Sequence, residues 1–463
     1  MHPEITYDES VMRSLHPDCP DWERLGPTKR DSALRAAAMA QQVAAEERDS
    51  QWAGGFNRRT FLKGGLGVGV ATLGAQLVTS RVSYAAADTP TNGTLVVIFL
   101  RGGMDGLSLL VPAADPNYLA MRNNVGIKSS TLIPIAGETR FGFHPALAPL
   151  KPLMNKGMVA AVPAVSTPDL SRSHFQAQDC LERGSTNSLT TGWLDRVLQA
   201  SGAGTTFRSV AVGGMTPRSL LGSSATVALR NLTSISLNVG DDDLANTKTA
   251  LQTLYTGIEH PIAKQTTLAI GALNTIEAIV DSPASVPNVK YPSGNFADAL
   301  ASLATLIKAN AGVRVACIDV GGWDTHTGMG NVDNGDMQRH LSDLATAIAA
   351  FTSDLGDTNL GKTTIVTMSE FGRRVQENAS GGTDHGHGGA VLVIGGGVQG
   401  GVHGHWEGLT KEVLEQGDVP GWNDYRDVLT EVVSKRLELS TGSLGDVFPG
   451  WSAQKVGVMK ATA

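Results

Sequence analysis

The ten residues from Gly381 to Ala390 read GGTDHGHGGA and gather one carboxylate and two imidazoles, Asp384, His385 and His387, inside a glycine-padded stretch. Carboxylate oxygen and imidazole nitrogen are hard or borderline donors, suited to Zn, Mn, Mg or Ca rather than to soft-metal chemistry. Four more polar clusters are built alike. Asp105 stands in the turn RGGMD, and Ser171-Arg172-Ser173-His174 precedes the helical run Phe175 to Glu182. Asp324 and His326 stand in GGWDTH, and Glu370 and Arg373 in SEFGR. Pooled, these donors could furnish a site for two cations ~4 Å apart, acting on an ester's oxygens during in-line displacement. A helix N-terminus at the serines would stabilise an anion or a developing alkoxide. Arg172 or Arg373 could hold a phosphate or sulfate through paired N–H donors. The other histidines read as structural: His340 beside an apolar helical stripe, His403 and His405 in a glycine-rich turn, and His144 before a proline.

Positioning such donors together is the task of the elements between them. Each cluster but the serine one directly follows or borders a short apolar run, at Leu95 to Leu100, Val313 to Val320, Thr363 to Met368 and Val391 to Ile394; Met158 to Val165 is a fifth run. Near-continuous apolar runs suit strands buried on both faces of a parallel sheet. Helical patterns alternate with them, over Phe296 to Asn310, along the stripe Leu341, Leu344, Ile348, Phe351 and Leu355, and over Tyr425 to Leu437. The alternation predicts an α/β three-layer sandwich with a mainly parallel sheet, whose ligands lie at the carboxyl ends of the strands. Residues 204–290 fit less well and read as an insertion, a cap region over the site. Strands are expected there at Ser209 to Gly213, Ala225 to Leu229 and Ile235 to Val239, with two helices between Asp243 and Ile279 broken near His260-Pro261.

Composition narrows the class. The 463 residues are 41% hydrophobic and 17% charged with a net charge of −7, a globular balance without the basic field that a nucleic-acid partner requires. Cys19, Cys180 and Cys317 are far apart and form neither a zinc knuckle nor a disulfide framework. Residues 1–55 read as a mobile or loosely helical leader, and residues 56–87 as an export signal. There Asn57-Arg58-Arg59-Thr60-Phe61-Leu62-Lys63 resembles the twin-arginine signal and is followed by a weakly apolar stretch and Ser83-Tyr84-Ala85-Ala86-Ala87. The apolar stretch falls short of the ~20 residues that span a bilayer. The expected partner is therefore the twin-arginine translocation machinery and the expected location periplasmic or extracellular, with no stable membrane span in the mature protein. That route would allow a metal to be loaded in the cytoplasm.

Residues 94 to about 455 resemble the exported bacterial proteins grouped as domain of unknown function 1501 (DUF1501), remote relatives of the alkaline phosphatase and sulfatase superfamily. The motifs that carry the resemblance are LRGGMDGL from Leu100, SRSHFQAQD from Ser171, GGWDTH from Gly321, SEFGR from Ser369 and TDHGHGG from Thr383. It implies an alkaline phosphatase-like domain over 94–455 with two divalent metals. Asp105, Asp324, His326, Glu370 and His385 or His387 would be ligands. Asp384-His385 would replace the superfamily's usual Asp-His at Glu370-Phe371. Ser173, or else Ser171, would be the nucleophile, with Arg172 and His174 assisting catalysis and Arg373 binding substrate. The implied activity is hydrolysis of a small-molecule or glycan phosphate or sulfate ester by serine or a metal-bound water. The alternative is a non-catalytic exported protein for binding or envelope assembly that keeps the fold.

Overall fold

The computed structural model describes residues 93–213, 216–232, 241–255, 261–282 and 286–461, all within one compact unit spanning Gly69–Ala463. The leader, the export signal, Cys19 and the strand expected at 235–239 lie outside the described residues. Among those residues no helix is long and apolar enough to cross a membrane.

Among the described residues, fourteen strands form three sheets. They are β1 (Thr94–Leu100), β2 (Leu110–Val111), β3 (Ile133–Pro134), β4 (Gly142–Phe143), β5 (Val159–Ser166), β6 (Ser209–Val212) and β7 (Val227–Leu229), followed by β8 (Val315–Val320), β9 (Thr363–Met368), β10 (Arg373–Glu377), β11 (Thr383–His385), β12 (Gly389–Gly395), β13 (Gly401–Val402) and β14 (Asn423–Asp424). The main sheet runs β13-β5-β12-β9-β1-β8-β6-β7, with β14 also paired to β5. Every pairing in it is parallel except those of β12, which is antiparallel to both β9 and β5.

Burial on both faces explains why these strands read as continuous apolar runs. In β1, Val96, Ile98 and Leu100 enter one core while Leu95, Val97 and Phe99 enter the other, following the two-residue period of a strand. The first core is closed by helices that include Asn295–Lys308 and Asp336–Gly361, through Leu300, Leu303, Leu341, Leu344 and Phe351. The second is closed by Trp193–Ala200 and Tyr425–Arg436, through Leu194, Leu198, Val428 and Val432. A sheet between two helical layers is the three-layer sandwich that the sequence predicts.

The described residues of 204–290 form two of the expected strands and both expected helices, but depart from the expected role over the site. Their strands β6 and β7 extend the main sheet beyond β8. The helices Asp241–Tyr255 and Pro261–Val280 send Leu251, Ile270, Leu273 and Ile276 into the first core. A helix face carrying that much apolar surface is buried against a sheet more favourably than it is spent over a polar edge.

Register decides where the polar loops begin. Leu100 of β1 lies beside Val320 of β8, and Phe99 beside Met368 of β9. The loops that follow, carrying Asp105, Asp324 and Glu370, therefore leave the carboxyl edge side by side. Reversal of β12 does the rest: the chain leaves β9, forms the hairpin β10–β11 and re-enters the sheet through β12, bringing Asp384 and His385 over the same edge.

Candidate metal centre

Asp324 is the meeting point. Its Oδ1 lies 3.1 Å from His326 Nε2 and 3.2 Å from His385 Nε2, and its Oδ2 lies 3.5 Å from His174 Nε2. The Nε2 atoms of His326 and His385 are themselves 3.0 Å apart. Donor atoms of His174, Asp324 and His385 all fall within 4.8 Å of one another.

Each imidazole has its other nitrogen occupied. His174 Nδ1–H donates to Glu370 Oε1 at 2.7 Å, His385 Nδ1–H to the Arg172 carbonyl at 2.9 Å, and His326 Nδ1–H to Asp384 Oδ1 at 3.1 Å. Such bonds fix the tautomer and leave the Nε2 lone pair pointing inward, as they do for histidines that bind metal. His174 Nε2 is buried with no hydrogen-bond partner. A buried nitrogen left unpaired costs free energy, which a cation in the centre of these four residues would recover. Three imidazole nitrogens and one carboxylate are a donor set of zinc type.

Electrostatics agree with that geometry. Burial would raise the Asp324 carboxyl, but the three histidines and the Arg373 guanidinium outweigh it and hold it far below the usual carboxylate range. Burial would lower His174, yet the Asp324 and Glu370 carboxylates push it up to about 9, and hydrogen bonding to Asp324 raises His326 as well. A field that holds protons on these nitrogens will also hold a cation that displaces them.

The serines sit beside this cluster. Ser173 is the N-cap of helix His174–Arg183, yet its hydroxyl makes no capping bond, whereas an N-cap serine usually accepts from the second or third helical N–H. Its Oγ is thus left at the positive end of a ten-residue helix, one residue from His174. Ser171 Oγ donates to Asp169 and accepts from Ser173 N. Arg172 between them has a left-handed φ of 53°, a costly conformation for a residue with a Cβ, and its carbonyl is pinned by His385.

Several expected site residues are placed elsewhere. Asp105 is fully buried in a two-bond pair with Arg122, at 2.6 and 2.8 Å, which commits both its oxygens. Arg373 is buried, and its donors go to the carbonyls of Gly102, Gly103 and Thr383 and to Asp324, so no face of it is open to a substrate. Arg172 pairs with Asp418. Glu370 and Asp384 stand behind His174 and His326 as acceptors rather than on the inward side. His387 turns away and donates to the Thr167 carbonyl at 3.1 Å. The structural histidines are as expected: His340 lies against Trp323, His403 bonds the Gln399 carbonyl, and His144 accepts from Ala146 N in a turn.

Two participants were not singled out from sequence. Gln178 donates to Glu370 and accepts from Arg101, and its position four residues after His174, on the same helix face, was the available signal. Arg122 gives no such signal. Its partner lies across the turn after β1, and nothing in the spacing announces it.

A family model described as Protein of unknown function (DUF1501) matches residues 152–421. No curated protein matches the sequence. Among solved structures, a Bacteroides thetaiotaomicron protein assigned as a sulfatase superimposes with a TM-score of 0.34 at 9% identity, covering 79% of this chain and 76% of its own. A Pseudoalteromonas sulfatase gives 0.31 at 12% identity, with 82% and 72% covered. The alkaline phosphatase of the Antarctic bacterium TAB5 gives 0.27 at 11%, with 68% and 95% covered. Likeness at these values says nothing about the site, whose reading rests on its own geometry.

Proposed function

The chain belongs to the DUF1501 family, and from that premise and the geometry of its centre we propose that it is a metal-dependent hydrolase of phosphate or sulfate esters. The observation that carries the reading is the convergence of three imidazole Nε2 atoms on Asp324, with each ring held from behind. His174, Asp324, His326 and His385 would hold the cation. When bound, such a cation polarises an ester oxygen and offsets charge on the leaving oxygen.

The chain's own residues supply the remainder. Ser173 attacks phosphorus or sulfur: its Oγ gives up its proton to water and forms the new bond while the bond to the leaving oxygen breaks and that oxygen takes up a proton, with the helix N-terminus stabilising the Ser173 oxyanion. Water then attacks the serine ester, freeing phosphate or sulfate and restoring the Ser173 hydroxyl. Glu370, Asp384 and the Arg172 carbonyl keep the imidazoles in one tautomer. The signal-like segment around Arg58-Arg59 supports export, so the substrates in reach would be small-molecule or glycan esters outside the cytoplasm.

One observation favours the alternative of a non-catalytic exported protein that keeps the fold. Both arginines expected to grip the ester's anion are already engaged, Arg373 by backbone carbonyls and Arg172 by Asp418. A screen of aryl phosphates, phosphodiesters and sulfates with metal-loaded full-length protein separates the two. Turnover that drops roughly a thousandfold or more in Ser173→Ala but persists in Ser171→Ala is the expected result. Bound metal with no turnover of any ester would leave the non-catalytic reading standing.

A further inference from the structure

We infer that the centre takes one divalent cation, and that the buried guanidinium of Arg373 supplies the positive charge a second cation would otherwise provide. The inference rests on the metal reading above and is about how many ions these residues can hold. Asp105, one of the carboxylates expected to bind metal, is bonded through both oxygens to Arg122, and neither side chain has any exposure. A cation taking Asp105 would strand a buried arginine without a partner, a costly exchange. Arg122 is further fixed by the carbonyls of Val375 and Arg374.

Arg373 closes the other approach. It touches Asp324 on Oδ1, the oxygen that also faces His326 and His385, and the Gly103 and Thr383 carbonyls hold it there at 2.6 and 2.9 Å. Charge balance sets the same limit. The carboxylates around the cluster are Asp324, Glu370 and Asp384, and one dication together with Arg373 neutralises all three. A second dication would add two uncompensated charges beside a buried guanidinium, with no carboxylate left to meet them.

Metal content of the full chain decides the matter, read by elemental analysis after loading with zinc and, separately, with manganese, then removing excess. One ion per chain is expected, bound in a single step in a titration of zinc into metal-free protein. Two ions per chain would overturn this inference and leave the hydrolase reading intact; no bound ion would overturn both. The double substitution Asp105→Leu with Arg122→Met removes the buried pair together and is expected to keep one ion with a zinc Kd within about twofold. Loss of an ion from that variant would overturn the assignment, and if it fails to fold, the wild-type count decides alone.

Discussion

Asp324 draws three histidines to itself, but what makes them an ordered set is the residue behind each ring. Glu370 holds His174 at 2.7 Å and Asp384 holds His326 at 3.1 Å, and in both cases the other ring nitrogen is turned inward to Asp324. Substituting such an acceptor typically weakens metal binding 10- to 100-fold, roughly, without removing a ligand. Glu370→Gln and Asp384→Asn are therefore expected to loosen zinc by about that factor in a competitive chelator titration, while Asp324→Ala abolishes binding. Equal loss in all three would place Glu370 and Asp384 among the ligands. The residue types at the site were legible in the sequence because they cluster in short motifs. Their division into donors and supporters was not, since it depends on which way each side chain faces, and spacing along the chain carries no such information. Asp105 illustrates this: the turn aspartate was visible, and the arginine that claims it lies seventeen residues on in an unrelated loop.

The hairpin β10–β11 gathers the glycines of the GGTDHGHGGA stretch, and they serve close approach more than freedom. A Cβ on Gly386 would stand 2.4 Å from the Arg373 carbonyl carbon, and one on Gly102 would stand 2.5 Å from Asp324 N, at a φ of 125° that disfavours any side chain. Both positions let backbone pass beside backbone directly under the centre. Gly386→Ala is expected to shift His385, its neighbour, and to lower zinc affinity at least about tenfold with the fold retained, as read by circular dichroism and chelator competition. An affinity equal to wild type would show that the hairpin yields without disturbing the ligand. Strands and helices themselves were read well from the chain: Thr363–Met368 matches its expectation at both ends, and β1, β5 and β8 match within a residue or two. Their two-sided burial produces an unbroken apolar signal that propensity alone can find. In the region from 204, β6, β7 and the two helices fall where the sequence places them, but their place in the main sheet and its core rather than over the site depends on long-range pairing that spacing does not carry.

At the scale of the whole molecule, pH acts through a buried residue outside the histidine cluster. Burial presses the His144 imidazole down from the ordinary 6.5 to about 4. Below pH 6.5 the unfolded chain takes up a proton that the folded chain refuses until pH approaches 4. This contribution is constant above pH 6.5 and stability is lost as pH falls between those values, by up to about 3 kcal/mol. Denaturant unfolding of wild type and His144→Asn, which keeps a side-chain acceptor for Ala146 N, is expected to show the decline in the first and a flatter profile in the second. The centre adds a mechanical consequence. His174 opens a helix on one side of the sheet, Asp324 follows a central strand and His385 ends a hairpin, so a bound ion would splice three remote stretches of one polypeptide as a disulfide splices two. Unlike a disulfide, that splice needs no oxidant and can be undone by a chelator, so the folded chain would be more strongly fastened wherever the metal is plentiful and looser where it is scarce.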